Sequence, residues 1–481
     1  MSARYEAVIG LEVHAQLSTR SKMFCGCSAA FGGAPNTHVC PVCLGLPGAL
    51  PVVNLRAIEF AVRLGLATDC QIANRSIFAR KNYFYPDCPK DYQVSQFDTP
   101  LCEGGHLDVE AGAKRIRIKR IHVEEDAGKL VHVENADHSL VDMNRSGVPL
   151  VEIVSEPDIR TAREASEYLQ KLRSLVRYLE ICDGNMEEGS LRCDVNLSVR
   201  PEGSEILGVK TEVKNLNSFK QVEQAIEFEF ERQSKVLTEG GRVTQDTLLW
   251  DPAKGRASVM RSKEEAHDYR YFPEPDLRVL LVSEETVARV RDGLPELPDA
   301  REKRFASQYG LPVYDAALLT SSKDIAQYYE DVVGAGADPK AASNWVMGEV
   351  MREMNERGLE IAAFKIAPAD LAELATMQAS GRVNSSTAKD VFKQMLDTGA
   401  TASAIVARGG LEQVSDTSAI EADARAVIDE NPEEVARYLA GKEQLLQFFV
   451  GQLMKRTKGK ANPKLATDAI RARLETMRGN S

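Results

Sequence analysis

Close to its start the chain alternates apolar and polar residues without interruption. Over residues 7–17, Ile9, Leu11, Val13, Ala15 and Leu17 share one parity, and Glu12, His14 and Gln16 share the other. A strand turns successive side chains to opposite faces, so this run predicts a strand with its apolar face on a core. Its polar face is either simply wet or lines a site, and a carboxylate and an imidazole two residues apart are able to hold a metal ion. Residues 191–200 repeat the alternation: Leu191, Cys193, Val195, Leu197 and Val199 point one way, and Arg192, Asp194, Asn196 and Ser198 the other. Val209, Thr211 and Val213 oppose Lys210, Glu212 and Lys214 in the same manner. Strands this close, each with one polar face, imply an antiparallel sheet.

Apolar positions switch to helical spacing in two places. Ala165, Tyr168, Leu169, Leu172, Leu175, Val176 and Leu179 predict a helix over residues 164–180. Val222, Ala225, Ile226, Glu229 and Phe230 predict another over residues 218–236. Ser283, followed by Glu284, Glu285 and Thr286, is placed to cap a short helix. The Gly- and Pro-containing stretch from Gly293 to Asp299 then breaks the pattern, and strand signal fades beyond it. Gly409-Gly410 marks a second break. The expected fold is therefore α+β, with three domains. Residues 1–292 form an antiparallel-sheet domain, 293–408 a helical domain and 409–481 a small helical tail domain.

Composition narrows the class. With 481 residues and 43% hydrophobic positions, the chain supports more than one core. No apolar run approaches the roughly 18 residues of a membrane span. The opening residues enter a strand directly with no signal peptide, so a cytoplasmic location is expected. The formal charge of −11 argues against a nonspecific nucleic-acid binder, but it is unevenly spread. Residues 441–481 carry nine Lys or Arg against three Asp or Glu, and the remainder is correspondingly more acidic. A basic tail on an acidic body suggests one module that touches a polyanion.

Four of the nine cysteines cluster as Cys25-Gly26-Cys27 and Cys40-Pro41-Val42-Cys43. Two close pairs joined by a loop suit a tetrahedral thiolate shell, so a structural zinc ion is expected there. A second group is acidic: Glu124, Glu125 and Asp126 end a strand that starts near Ile116. Parity groups Glu125 with Val123 and Glu124 with His122, which leaves open which of them faces a site. Glu152 lies in the apolar run of residues 148–154, where an unpaired carboxylate is costly. With Asp194 these acids suggest a cradle for one or two divalent ions. No phosphate-binding glycine loop is present, so a bound nucleotide would depend on metal and on scattered cations such as Lys81, Lys90, Arg145 and Lys214. Tyr83, Phe84 and Tyr85 stand between Lys81 and Lys90 and form either a stacking platform or a packed turn. Lys455, Arg456, Lys458, Lys460 and Lys464 fall within ten residues of the tail and suit a nucleic-acid backbone.

Long motifs carry a resemblance through most of the chain. They are Ile9-Gly10-Leu11-Glu12-Val13-His14, Arg80-Lys81-Asn82-Tyr83-Phe84-Tyr85-Pro86-Asp87, Glu124-Glu125-Asp126-Ala127-Gly128-Lys129, and Ile153-Val154-Ser155-Glu156-Pro157-Asp158. Residues 186–194, Asp268-Tyr269-Arg270-Tyr271-Phe272-Pro273-Glu274-Pro275-Asp276, and residues 450–455 continue it. The sequence resembles the B subunits of the bacterial tRNA-dependent amidotransferases acting on Glu-tRNA(Gln) and Asp-tRNA(Asn). The resemblance implies a kinase-like cradle domain, a helical linker domain and a tail that reaches tRNA. It implies that ATP phosphorylates the side-chain carboxylate of the misacylated amino acid and that ammonia then displaces phosphate. The ammonia would come from a partner amidase, the A subunit, stabilised by a small C subunit.

Carried over by motif, Glu12, His14, Glu125, Glu152 and Asp194 would be catalytic. Glu12, His14, Glu125 and Glu152 would hold Mg2+ or Mn2+, and Cys25, Cys27, Cys40 and Cys43 would hold zinc. Lys81, Lys90, Tyr83 and Arg145 would bind substrate, and the five tail cations would bind tRNA. The alternatives are a noncatalytic zinc-ribbon tRNA-binding protein, which needs no buried carboxylate, and a metal phosphohydrolase, which needs no basic tail.

Overall fold

The computed structural model describes residues 4–132, 137–262, 269–412, 417–457 and 461–479; Asp268, Lys458 and Lys460 lie outside them. Chain contacts divide the protein into two compact units, Met1–Pro298 and Asp299–Ser481.

Among the described residues, nine strands make the main sheet of the first unit. In spatial order they are Arg256–Ser262, Asp246–Asp251, Thr211–Leu216, Leu191–Pro201, Tyr5–Gln16, Pro149–Ser155, Lys114–Glu125, Cys102–Val109 and Gln71–Ile72. All neighbours are antiparallel except Thr211–Leu216 and Asp246–Asp251. That parallel pair is joined through the helix Phe219–Thr238, the crossover that parallel strands require. The alternation decides what each face does. Ile9, Leu11, Val13 and Ala15 join Val151, Ile153, Ile121, Val123, Cys193, Val195 and Leu197 in one buried cluster. The helices Leu55–Ala67, Ala162–Tyr178 and Phe219–Thr238 contribute Phe60, Val62, Leu64, Tyr168, Leu172, Val176, Val222 and Ile226 to the same cluster. The strands thus bury their apolar parity under helices, while the other parity is left for polar groups.

The predicted helices are present, shifted by a residue or two. Their first turns are fixed by side-chain oxygens. Thr161 accepts from Glu164 N at 3.1 Å, Ser218 from Gln221 N at 3.2 Å and Ser283 from Thr286 N at 3.2 Å. Each such cap stabilises its helix by about 1 kcal/mol. The helix Leu55–Ala67 was not expected from the sequence. Ala57, Ile58, Phe60, Ala61, Val62, Leu64 and Gly65 are all buried, an arc too broad to leave a clear polar stripe. The four clustered cysteines lie in the irregular segment between Tyr5–Gln16 and this helix.

The second unit is helical, and its described residues form two separate apolar clusters. One gathers Phe305, Tyr329, Trp345, Leu371, Phe392 and Val406. The other gathers Ile420, Val427, Phe449, Leu453, Ile470 and Leu474. Among the described residues, no helix is long and apolar enough to cross a membrane.

Candidate functional site

Strand register assembles the site. His14 stands opposite Glu152 on one side and Arg192 on the other, Glu152 stands opposite His122, and Glu12 stands opposite Asp194. All belong to the polar parity, so four adjacent strands place Asp194, Glu12, His14, Glu152, His122 and Glu124 on one face. His14 Nε2 lies 3.4 Å from Glu152, 3.8 Å from Glu12 and 3.8 Å from Glu124. His122 Nε2 lies 3.4 Å from Glu152 and 3.5 Å from Glu124. Ser95 Oγ donates to Glu124 at 3.0 Å. Glu152 is 5% exposed and Glu124 is 2% exposed, so both depend on these partners.

The charges perturb one another. Burial and the neighbouring Glu152 carboxylate raise the pKa of Glu12. Burial works against a charged His14, but Glu152, Glu124 and Glu12 prevail and raise its pKa. His122 follows the same logic more strongly: burial disfavours its charge, yet Glu152 and Glu124 lift its pKa to about 9. Arg120 Nε, 3.4 Å from His122 Nδ1, opposes a second ring proton, but one partly exposed cation is outweighed by two carboxylates. Glu152 is held well below the usual carboxylate range by His122 and His14 despite its burial.

Two triads on this face have donor atoms close enough to share an ion. In Glu12, His14 and Asp194, and again in His14, Glu124 and Glu152, one ligand atom from each residue lies within 4.8 Å of the others. Carboxylate oxygens with a single imidazole suit a hard divalent cation such as Mg2+ or Mn2+. Cations border the group. Lys214 pairs with Asp194 and with Glu212. Lys81, on the strand Ala79–Asn82, lies 5.0 Å from the ring of Tyr269. Burial opposes its charge, yet Glu124, Tyr271 and Glu152 hold its pKa above the usual lysine value. Asp126 closes one end by accepting from Gln16 at 2.7 Å and Arg192 at 3.0 Å.

The structure therefore brings together Glu12, His14, Glu152, Asp194 and Lys81 from the expected set. Glu125, also expected there, turns to the opposite side of its strand. It pairs with Lys90 and accepts from Val94 N at 2.9 Å, beside a cavity of about 160 Å3. Glu124 occupies the position beside His14 instead. Tyr83 packs edge-on to Tyr269 at 6.5 Å. Arg145 donates to the carbonyls of Ala127 and Gly128 at 2.9 and 2.5 Å, so it is committed to shaping the turn after Asp126. The sequence marked Asp126 only as part of the acidic run and gave no sign that His122 or Arg192 belongs to the site. Cross-strand register was the missing information.

The sulfurs of Cys25, Cys27, Cys40 and Cys43 lie within 4.8 Å of one another, and those of Cys40 and Cys43 are 4.0 Å apart. A tetrahedral zinc site separates its sulfurs by about 3.8 Å, so the cluster fits that ion. Asn36 and Asn144 tie the loop to the strand Ser139–Asp142 and the residues just after it, through bonds to Val141 O at 3.0 Å and Ala34 O at 2.7 Å. In the tail, Lys455 and Lys464 are exposed. Arg456 is engaged by Asp423 at 3.0 Å and Glu430 at 2.8 Å.

Residues 7–288 match the family model described as the GatB/GatE catalytic domain, and residues 327–474 match the GatB domain. The chain is similar to the B subunit of the aspartyl/glutamyl-tRNA(Asn/Gln) amidotransferase of Chlorobium luteolum, with 57% identity over 98% of this chain and 100% of the relative. That of Thermodesulfovibrio yellowstonii is 56% identical over 97% and 98%, and that of Chlorobaculum tepidum 55% over 98% and 99%.

Proposed function

The chain belongs to the GatB family, the B subunits of tRNA-dependent amidotransferases, and from that membership we propose that the face around His14 holds a divalent cation with ATP during amide formation on tRNA. The single observation that carries this reading is the row Asp194, Glu12, His14, Glu152 and Glu124 across four strands, with a cationic Lys81 beside it. A noncatalytic tRNA-binding protein would have no use for buried carboxylates so arranged.

As a B subunit, the chain is one component of a multi-subunit enzyme; we assign its partners as the amidase that forms the A subunit and the small C subunit, in the cytoplasm. The substrate is Glu-tRNA(Gln), Asp-tRNA(Asn) or both. A carboxylate is a poor electrophile, so it must first be activated. Its oxygen attacks the γ-phosphorus of ATP and ADP leaves; ammonia then attacks the acyl carbon and phosphate leaves. A cation held by Glu12, His14, Glu124, Glu152 and Asp194 would neutralise charge on the transferring phosphoryl group. His122 and Arg120 keep Glu152 ionised and aimed at that position. Lys81 offers its ammonium to phosphate or to the incoming carboxylate, with the Tyr269 ring beside it and Tyr83 packed on Tyr269. Asp126, Arg192 and Gln16 fix the end of the site. Glu125 and Lys90 shape the cavity wall on the other side and are not assigned to the cation. Cys25, Cys27, Cys40 and Cys43 hold a structural zinc ion that orders the loop preceding residue 55. The tail of residues 409–481 contacts tRNA through Lys455 and Lys464, with Lys458 and Lys460 between them.

Mn2+ tests the assignment. Pulsed electron paramagnetic resonance of the Mn2+-loaded protein should show coupling to an imidazole nitrogen that disappears in His14→Ala. Persistence of that coupling in His14→Ala contradicts the assigned position.

A further inference from the structure

Lys22 is 0% exposed and is among the largest fully buried side chains. An ammonium removed from water needs a compensating anion. Among the described residues its Nζ has two partners, the Met143 carbonyl oxygen at 3.2 Å and the Cys43 sulfur at 3.6 Å. Among the described residues no carboxylate lies within ion-pair distance of it. Glu125, on the same cavity wall, is engaged by Lys90 and by the backbone of Val94. Lys22 is also rooted in the cysteine loop, where its own N–H donates to Cys27 O at 3.0 Å. Gly147 closes over its stem with a φ of +86°. A Cβ there would stand 3.4 Å from Lys22 Cδ and 3.5 Å from Cys43 Cβ. The side chain is therefore built in, and it points at a sulfur.

A neutral thiol gives an ammonium little compensation. Four thiolates around a divalent ion carry a net charge of −2 and compensate it well. We propose that Lys22 is the buried counter-ion of the four-thiolate shell of Cys25, Cys27, Cys40 and Cys43, donating to the Cys43 sulfur and protecting the ion from release. The inference rests on the zinc reading given above. A thiolate that accepts a charged hydrogen bond donates less electron density to its metal and attacks electrophiles more slowly. Lys22 is thus a positioning residue for the loop, tying Cys43 to Met143 on the segment that leads to Glu152.

The test uses the full chain as wild type, Lys22→Met and Lys22→Gln. Bound metal is counted by mass spectrometry, and zinc release to a chromogenic chelator is followed during alkylation by iodoacetamide. Cobalt-loaded samples report the sulfur-to-metal charge-transfer band. The expected result is one zinc per wild-type chain and about tenfold faster release from Lys22→Met. Its charge-transfer band should move to lower energy, with Lys22→Gln between the two. A wild type without a four-sulfur metal site overturns the zinc reading, and this inference with it. A zinc-bearing wild type matched by both variants in release and band overturns the inference alone. If Lys22→Met does not fold, Lys22→Gln against wild type decides in the same way.

Discussion

Glu152 sits where a carboxylate is expensive to keep, inside a strand that is buried along most of its length. It persists as an anion because His14 and His122 each approach within 3.4 Å and Arg120 within 3.7 Å. Glu152→Gln removes the charge but keeps the shape, leaving two imidazoles facing an amide. Mn2+ affinity, measured by calorimetry, is expected to fall by about tenfold or more. The histidines also set a pH dependence in protein without added magnesium or manganese. Their pKa values are raised on folding, His122 to about 9, so their contribution to stability is complete below the unfolded value of about 6.5. For His122 it is lost as pH rises through about 9, and for His14 as pH rises through its own raised pKa. Glu124 and Glu152 act in reverse: their pKa values are lowered, so their contribution is present above about pH 4.5 and lost below it. Melting temperature should therefore decline from about pH 6.5 toward 9.5. Mn2+ should restore it there, because the ion competes with protons for His14. A melting temperature that rises over that interval without the ion contradicts the account.

At the level of elements, alternation made the centre of the main sheet legible. It marked the strand Tyr5–Gln16, the strand Leu191–Pro201 and which parity of each was apolar. It could not choose between Glu124 and Glu125, because parity within one strand does not say which face meets its neighbours' polar groups. Register does: Glu124 shares the face of His122, which is opposite Glu152, and Glu125 shares the face of Val123. Nor did periodicity reveal the helix Leu55–Ala67, whose buried arc is nearly continuous. The two adjacent glutamates give a sharp contrast. Glu124→Gln is expected to weaken Mn2+ binding by about tenfold. Glu125→Gln should leave Mn2+ binding unchanged and lower stability by about 3 kcal/mol, because it strands Lys90 without its partner. Calorimetric titration and chemical denaturation of the two variants check both halves; equal loss of Mn2+ affinity would refute the separation of faces.

At the level of the molecule, charge is unevenly spread between an acidic body and a basic end, and the proposed function gives the two different work. Residues 417–479 hold an apolar cluster of their own, built from Ile420, Phe449, Leu453 and Ile470 among others. Deleting residues 411–481 should weaken tRNA binding by an order of magnitude or more at moderate salt while leaving Mn2+ affinity unchanged. Filter binding and calorimetry on the truncated protein check this, and unchanged tRNA affinity would remove the tail's assigned role. The basic residues were legible as a charge run, but ion pairing was not: Arg456 is engaged by Asp423 and Glu430, whereas Lys455 and Lys464 are exposed, which is why the proposed tRNA contact is placed on them. The His14 face is the proposed site of ATP-dependent chemistry. The most direct measurement is glutamine- and ATP-dependent amidation of misacylated tRNA by the complex reconstituted with its amidase and small subunits, comparing wild type with Glu12→Gln and Glu152→Gln at saturating tRNA. A rate at least about a hundredfold lower, with tRNA binding retained, is the predicted result; amidation at the wild-type rate by both variants would contradict it.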